Sequence, residues 1–159
     1  MRRTLAIIIV AAFLLYACDE QRLFENYKDF DNNAWVVSDQ PAFEFSIADT
    51  QLPYNVYCNL RNAESYPFAD FRFSYYLSDT TGALTDKKLK ITYLFDRKSG
   101  APYGESGLGD IYDHQFLLLK NYKFNHPGKY TVRFEQFMRR DTLPGILAVG
   151  LRVERAEQP

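Results

Sequence analysis

ADFRFSYYLS, at residues 69–78, carries an apolar side chain at every second position from Phe71 to Leu77, with Arg72 and Ser74 among the residues between them. Alternation with a period of two, in aromatic and β-branched residues, is typical of a β-strand that buries one face. The same pattern occurs in three other segments. We expect the apolar set of each segment to face a core: Phe43, Phe45 and Ile47; Phe71, Phe73, Tyr75 and Leu77; Leu89, Ile91, Tyr93 and Phe95; and Tyr130, Val132 and Phe134.

Turn-forming residues separate these segments, as in Asp79-Thr80-Thr81-Gly82 and His126-Pro127-Gly128. No long stretch shows the periodicity of a helix. The patterns predict about eight strands, near residues 34–38, 42–49, 54–61, 69–78, 87–96, 115–124, 129–139 and 146–155. Many short strands bury their apolar faces by pairing two sheets. We therefore predict an all-β fold, an antiparallel β-sandwich or jelly-roll-like domain, at residues 34–156.

The first 17 residues have the composition of a secretory signal peptide. Arg2 and Arg3 precede an unbroken apolar run from Leu5 to Leu15, which matches a positive n-region followed by a short h-region. The run would be about 16 Å long as a helix, against a hydrocarbon core of about 30 Å. It is too short to be a stable membrane-spanning anchor.

The residues after this run match the lipobox read by lipoprotein signal peptidase. In Leu15-Tyr16-Ala17-Cys18 an aliphatic residue stands three positions before a cysteine and small Ala17 stands directly before it. We predict cleavage between Ala17 and Cys18 and lipidation of the Cys18 thiol. Two or three acyl chains such as palmitate on one residue anchor a protein stably, so Cys18 is the predicted membrane attachment. Residues 18–33 are polar and short of strand signals, and are predicted to form a tether.

The composition of the mature chain limits its partners. Removing residues 1–17 leaves 142 residues with 17 basic and 20 acidic side chains, a net charge of −3. No basic patch points to nucleic acid. Lipidation of Cys18 leaves Cys58 without an intramolecular disulfide partner, and we expect Cys58 to be a buried, inert thiol.

The polar residues show no convincing catalytic or metal-binding pattern. Asp110, Asp113 and His114 would hold a metal only if the segment folded back on itself, and we expect a polar loop at the start of a strand instead. His126 lies in a turn. Ser106 lacks the second glycine and the strand-to-helix context of a nucleophile elbow. We expect no enzyme activity, cofactor or metal, and expect Gly104, Gly107 and Gly109 to supply positive φ angles in a long connection.

That connection, at about residues 97–114, is long for a sandwich, and long loops in compact domains are often functional. Its apolar residues either seal one end of the sandwich or form a partner-binding edge: Tyr103, Leu108, Ile111 and Tyr112. Trp35 and Tyr75-Tyr76 pose the same question, and a core position is the default for each.

Several blocks of the mature chain resemble the GldH family of gliding-motility lipoproteins of the Bacteroidota. The resemblance rests on residues 49–57 with Leu60-Arg61-Asn62, on Tyr66-Pro67-Phe68, and on residues 104–111, 135–139 and 143–154. It implies a non-catalytic envelope lipoprotein associated with the gliding and type 9 secretion apparatus. Its partners would be other envelope proteins.

The residues directly after the lipidated cysteine bear on location. Asp19-Glu20 resembles the acidic export signals that direct lipoproteins of the Bacteroidota to the outer face of the outer membrane. We therefore expect a lipid-anchored envelope protein at the outer membrane.

Two function classes remain open. The first is an envelope protein that binds other proteins and has no catalytic activity. The second is a lipid-anchored glycan-binding module. Both stay open because fold alone does not establish function. A flat apolar patch with a polar rim would favour the first. A row of exposed aromatic side chains on one concave face would favour the second.

Overall fold

The computed structural model describes residues 21–157, which form two antiparallel sheets packed face to face. The strands are β1 (Arg22–Asp29), β2 (Ala34–Val36), β3 (Ala42–Ile47), β4 (Tyr54–Ala63), β5 (Asp70–Ser78), β6 (Leu84–Tyr93), β7 (Glu105–Ser106), β8 (Ile111–Tyr122), β9 (Gly128–Gln136), β10 (Thr142–Pro144) and β11 (Ile146–Arg155). A single 3-10 turn, Asp31–Asn33, precedes β2. The predicted all-β antiparallel sandwich is confirmed.

The strand order explains how the chain closes its core. One sheet has the order β1-β11-β4-β8-β7, the other has β3-β9-β5-β6, and β10 pairs with β2 in a short third sheet. All pairings are antiparallel. Because most pairings join strands distant in sequence, the hydrophobic pattern rather than short turns must specify the register.

The core between the sheets is built largely from aromatic rings. Phe71, Phe73 and Phe134 are fully buried, and the Phe73 ring contacts those of Phe71 and Phe134 at centroid distances of 5.3 and 6.0 Å. Trp35 is also buried and stacks on Phe30 at 4.8 Å, so the default core position predicted for it is correct. Such ring pairs stabilise the fold beyond the area they bury. Cys58 is buried in the same core, as predicted.

All eight predicted strands occur, with ends shifted by a few residues, and three further strands were not predicted. The main correction concerns the predicted tether at residues 18–33: Arg22–Asp29 is instead edge strand β1, paired with β11 from Arg22 to Asp29. The strand escaped the sequence pattern because it is held mainly by backbone hydrogen bonds to β11. Only Phe24 of this strand packs against the core.

The face of β6 is a second correction. Leu89, Ile91 and Tyr93 were predicted to be buried with Phe95. In the structure their exposed fractions are 46%, 56% and 44%, and only Phe95 is buried. Directly paired residues point to the same side of a sheet. The partners of the three on β5 are Ser74, Arg72 and Asp70, which alternate with the buried Phe71 and Phe73, so this apolar set lies on the outer face.

The core-facing side of β6 is polar because β6 is the edge of its sheet. Lys90 lies opposite Phe73 and donates a hydrogen bond to the backbone oxygen of Leu117, 3.0 Å away in the other sheet. Asp86 accepts a 2.7 Å hydrogen bond from the hydroxyl of Tyr75. Inward-pointing charges of this kind protect an edge strand from uncontrolled pairing.

Within residues 21–157, no helix is both long enough and apolar enough to cross a membrane.

Candidate functional site

The register of the five-stranded sheet places four residues in one row on its outer face. Tyr27 of β1 is paired with Gly150 of β11, Gly150 with Asn59 of β4, and Asn59 with Gln115 of β8. The row faces outward because the neighbours of Asn59 in β4, Cys58 and Leu60, are buried in the core. Residues separated by up to 123 positions in the sequence thus form one continuous surface.

The ring of Tyr27 lies flat across Gly150. A β-carbon on residue 150 would come within 2.7 Å of Cδ1 of Tyr27. The hydroxyl of Tyr27 accepts a 2.8 Å hydrogen bond from the amide of Asn59, which is two strands away, or about 10 Å at the usual strand spacing. The side chain reaches Asn59 only by lying along the sheet. With 41% of Tyr27 exposed, it forms an aromatic platform.

A hydrogen-bond network fixes the polar side chains of this row. The Asn59 amide nitrogen also donates to Glu25, at 3.0 Å, and the Gln115 amide nitrogen donates to the Asn59 carbonyl oxygen at 3.2 Å. Asn59 is only 4% exposed, and a buried amide needs such partners. Partial burial alone would raise the pKa of Glu25, but Arg22 and Arg152 beside it lower the pKa below its ordinary value. Glu25 therefore stays ionised and holds the network.

An ion pair continues the polar surface beside this row. Arg61 of β4 faces Asp113 of β8 and donates two hydrogen bonds to its carboxylate, at 2.8 and 3.3 Å. The two parallel bonds define the plane of the guanidinium. That guanidinium lies 6.0 Å from the centre of the Tyr27 ring.

The segment before β8 rises as a wall along this surface and turns it into a cleft of about 680 Å³. A β-carbon on Gly104 would come within 2.7 Å of Nε2 of His114, so only glycine lets the chain approach this closely. Gly104 does this without a positive φ angle. Of the three glycines predicted to adopt a positive φ angle, only Gly109 does so, and the prediction was wrong for Gly104 and Gly107. Tyr103 lines the cleft and is 60% exposed. Its hydroxyl donates a 2.8 Å hydrogen bond to Asp96, which fixes the side chain there. Tyr93 of β6 also lines the cleft.

Comparison with known proteins identifies the family. The family model for GldH lipoprotein matches residues 22–153. The chain belongs to the GldH lipoprotein family. The matched range begins at the first strand and ends two residues before the last strand does, so it covers nearly the whole sandwich.

Two relatives match the chain over nearly its full length. The gliding motility lipoprotein GldH of Flavobacterium johnsoniae is 30% identical over 158 residues, which cover 95% of this chain and 96% of the relative. A GldH homolog of Christiangramia forsetii is 26% identical and covers 95% of this chain and 94% of its own. GldH membership makes the chain a membrane-anchored lipoprotein of the cell envelope, linked to gliding motility.

Solved structures give weaker matches. A GH115 glucuronidase that acts on decorated arabinogalactans has a TM-score of 0.47 at 10% identity, covering 89% of this chain and 18% of its own. The VP2 protein of infectious bursal disease virus has a TM-score of 0.44 at 12% identity, covering 86% and 33%. Values this low carry no information about function.

The structure places the polar residues singled out from the GldH sequence at separate positions. Asp113 and His114 belong to β8 rather than to the predicted loop. His114 is buried, its Nε2 lies 2.8 Å from Oδ1 of Asn62, and burial lowers its pKa despite nearby Asp113. The hydroxyl of Ser106 donates a long hydrogen bond of 3.5 Å to the backbone oxygen of Gly107, and the residue pairs with Tyr112 of β8. Cys18 and Ala17, the predicted lipidation and cleavage residues, lie outside the described residues.

The long connection at residues 97–114 partly seals one end of the sandwich and partly leaves aromatic and apolar side chains exposed. Tyr112 packs edge-on against the ring of buried Phe95, at 6.0 Å, and closes that end of the sandwich. Tyr103 and Leu108 remain exposed. The cleft itself was not predicted, because Tyr27 was assigned to the tether. The one signal in the sequence was Gly150 inside the apolar run of β11, since a glycine within a strand often marks a close approach.

Proposed function

We propose that this GldH lipoprotein is a non-catalytic component of the gliding and type 9 secretion machinery, anchored through Cys18 at the outer membrane. In this role the sandwich holds partner proteins at the membrane surface. The observation that carries the proposal is an apolar stripe, formed by Leu89, Ile91 and Tyr93, on the outer face of edge strand β6.

The stripe has the form of a protein-docking surface. Its three side chains follow one another along one face of a strand, and Lys87 stands beside them on that face, whereas Lys88 and Lys90 lie on the core-facing side. Contiguous exposed apolar residues with a charged rim are characteristic of protein interaction sites. Lys87 and Arg72, which lies opposite Ile91, complement a partner that presents an apolar strip bordered by acidic residues.

The positions of the reactive side chains in residues 21–157 support a role without catalysis. An active site usually brings a nucleophile, a base and a stabilising group together. Within residues 21–157, no group of three or more His, Cys, Asp or Glu side chains could hold a metal ion. Cys58 is buried in the core, and Nε2 of His114, at the border of the cleft, lies 2.8 Å from Oδ1 of Asn62.

The position of β1 supports close contact with the membrane. Arg22, the first residue of β1, is four residues after Cys18, so the chain between them spans at most about 14 Å. If Cys18 carries the lipid, the edge of the five-stranded sheet lies near the bilayer surface. The acidic Asp19-Glu20 pair supports transport to the outer membrane, as expected from the sequence.

Affinity isolation from detergent-solubilised envelopes tests the docking surface. Tagged wild-type protein is compared with the double variant L89T/I91T, which removes apolar area while keeping residues that favour strands. L108T is the matched control, because Leu108 is exposed but lies outside the stripe. We expect wild type and L108T to recover gliding or secretion proteins, and L89T/I91T to recover them at much lower yield.

Abundance and lipidation of each variant are measured in the same cells. Equal recovery by L89T/I91T at equal abundance would remove the stripe as the docking surface. Recovery of no gliding or secretion protein by wild type would contradict the proposed association as a whole.

A further inference from the structure

We propose that the cleft over the Tyr27–Gly150–Asn59–Gln115 row binds an uncharged saccharide. This goes beyond the docking role, because the cleft belongs mainly to the outer face of the five-stranded sheet, whereas the apolar stripe lies on the other sheet and shares only Tyr93 with the cleft. The volume of about 680 Å³ falls within the range of small-ligand sites.

The Tyr27 ring supplies a stacking surface. The ring rests on the backbone at Gly150, and the residue is 41% exposed and lines the cleft. Sugar rings present a face of C–H groups that packs on aromatic rings, which offer large contact area at low entropic cost. Because Asn59 holds the Tyr27 hydroxyl, the platform is fixed before a ligand arrives.

Two further tyrosines stand on the opposite side of the cleft. Tyr93 and Tyr103 line it from β6 and from the wall before β8, and both are substantially exposed. Asp96 holds the Tyr103 hydroxyl at 2.8 Å. The arrangement gives aromatic surfaces on two sides, as a ligand with two C–H faces or a chain of sugar rings requires.

The floor between the tyrosines offers paired donors and acceptors. The Gln115 amide and the Arg61–Asp113 pair line the cleft and present these groups, while the Asn59 amide hydrogens are already taken up by Glu25 and Tyr27. Neighbouring hydroxyls on a sugar ring each donate and accept, so they match side chains that present a donor beside an acceptor. The network holds these groups in place, which reduces the entropic cost of binding.

The charge of the cleft favours a neutral ligand. Its lining includes two basic residues, Arg61 and Arg152, and two acidic residues, Glu105 and Asp113. Arg152 contacts Glu154 at 2.8 Å and Arg61 contacts Asp113. An anionic polysaccharide would need surplus positive charge, which these pairs do not supply. Apart from the tyrosines, Phe116 is the one large apolar residue of the lining, so an apolar peptide side chain finds no deep pocket.

A glycan array tests the inference on the intact lipidated protein, purified in a detergent without a sugar headgroup. The neutral probes are oligosaccharides of glucose, mannose, galactose, xylose and N-acetylglucosamine. Polysaccharide released from the envelope of the bacterium that produces the protein is also tested, and sulfated and uronic-acid glycans are the anionic probes. Three variants accompany wild type. Y27L removes the platform, Y27F keeps the ring and removes the hydroxyl, and F137L alters an exposed aromatic side chain outside the cleft.

We expect saturable binding to at least one neutral glycan. Y27L should weaken it about tenfold, the upper end of what one aromatic contact contributes, while Y27F should weaken it less and F137L should leave it unchanged. Circular dichroism confirms that each variant is folded. No binding to any neutral probe, binding to anionic probes alone, or equal binding by folded Y27L would overturn the inference. Selective capture of array peptides, lost in Y27L, would likewise overturn it by identifying a peptide site. These outcomes leave the docking proposal untouched, since its test changes Leu89 and Ile91, which do not line the cleft.

Discussion

Tyr27 and Gly150 fit against each other so closely that the glycine has no room for a side chain. A β-carbon on residue 150 would lie 2.7 Å from the ring of Tyr27 and 2.8 Å from the backbone oxygen of Asn26. The contact joins edge strand β1 to β11 and lays the tyrosine ring along the sheet. A glycine that ordinarily weakens a strand here makes room for the ring that covers the polar row.

Substitution G150A is therefore expected to destabilise the domain by about 1–3 kcal/mol, as overpacking typically does. Denaturant unfolding of wild type and variant measures the loss. In the double variant G150A/Y27A part of the loss should be recovered, because the ring no longer obstructs the new methyl group, although the Asn26 oxygen still does. Fully additive losses in the double-mutant cycle would show that the ring and residue 150 are not in contact.

The stability of the domain should fall as the pH decreases below neutrality because of His114. Burial lowers the pKa of this side chain below its ordinary 6.5, so the unfolded chain takes up a proton at a pH where the folded chain does not. The contribution is fully present above pH 6.5 and is lost as the pH falls toward the folded-state pKa.

Unfolding free energies measured through this window test the assignment. Wild type and H126Q, in which an exposed histidine is replaced, should show the slope. H114Q should be less stable throughout, since it disturbs the Asn62 hydrogen bond, and should lack the slope. A slope that persists in H114Q would assign the titration to another group.

The Cys58 thiol should not react in the native protein. It is fully buried in the core, and burial raises its pKa, so both access and thiolate formation are suppressed. A maleimide reagent should label the lipidated protein slowly in buffer and rapidly in concentrated guanidinium chloride. Rapid labelling of the folded protein would mean that the core around β4 opens easily.

Substitution C18A should abolish acylation and leave an unprocessed or misplaced protein. The thiol at this position is the predicted site of diacylglycerol attachment, and without acyl chains no stable anchor is expected. Metabolic labelling with a fatty-acid analogue, followed by membrane fractionation, measures both effects. C58A is the matched control and should keep the lipid label. Label retained by C18A would exclude this residue as the lipidation site.

Single alanine substitutions at Ser106 and Asp110 should leave gliding-related function intact. Both side chains are exposed on the connection before β8, and neither belongs to a convergent reactive cluster. Complementation of a deletion strain, with protein abundance measured alongside, tests this. One such variant that is normally folded, abundant and localised yet inactive would point to chemistry at that residue.

The sequence pattern predicted the strands of the core more reliably than those at the edges. Central strands such as β5, with Phe71 to Leu77 buried at alternate positions, must place one apolar face inside, and this requirement is written into their residue order. Edge strands β1 and β6 pair on one side only and border solvent. Their alternation therefore did not reveal that β1 exists or which face of β6 is covered.

The candidate cleft lay beyond sequence reasoning for a related reason. Asn59 and Gln115 were unremarkable polar residues of strands, and Tyr27 was assigned to a tether. They become a site only because β11 is inserted between β1 and β4 and sets the register of both. A one-residue slip in either pairing would turn the polar row into the core.

The order of amino acids alone was sufficient for the all-β class, the burial of Cys58 and the resemblance to GldH lipoproteins, because each depends on local periodicity or on contiguous motifs. The predictions at Cys18 have the same local origin. Tertiary structure decided the position of β1, the outward orientation of Leu89, Ile91 and Tyr93, and the cleft over the row that contains Tyr27. These depend on pairings between strands far apart in the chain, whose register is set by the packing of the whole sandwich rather than by neighbouring residues.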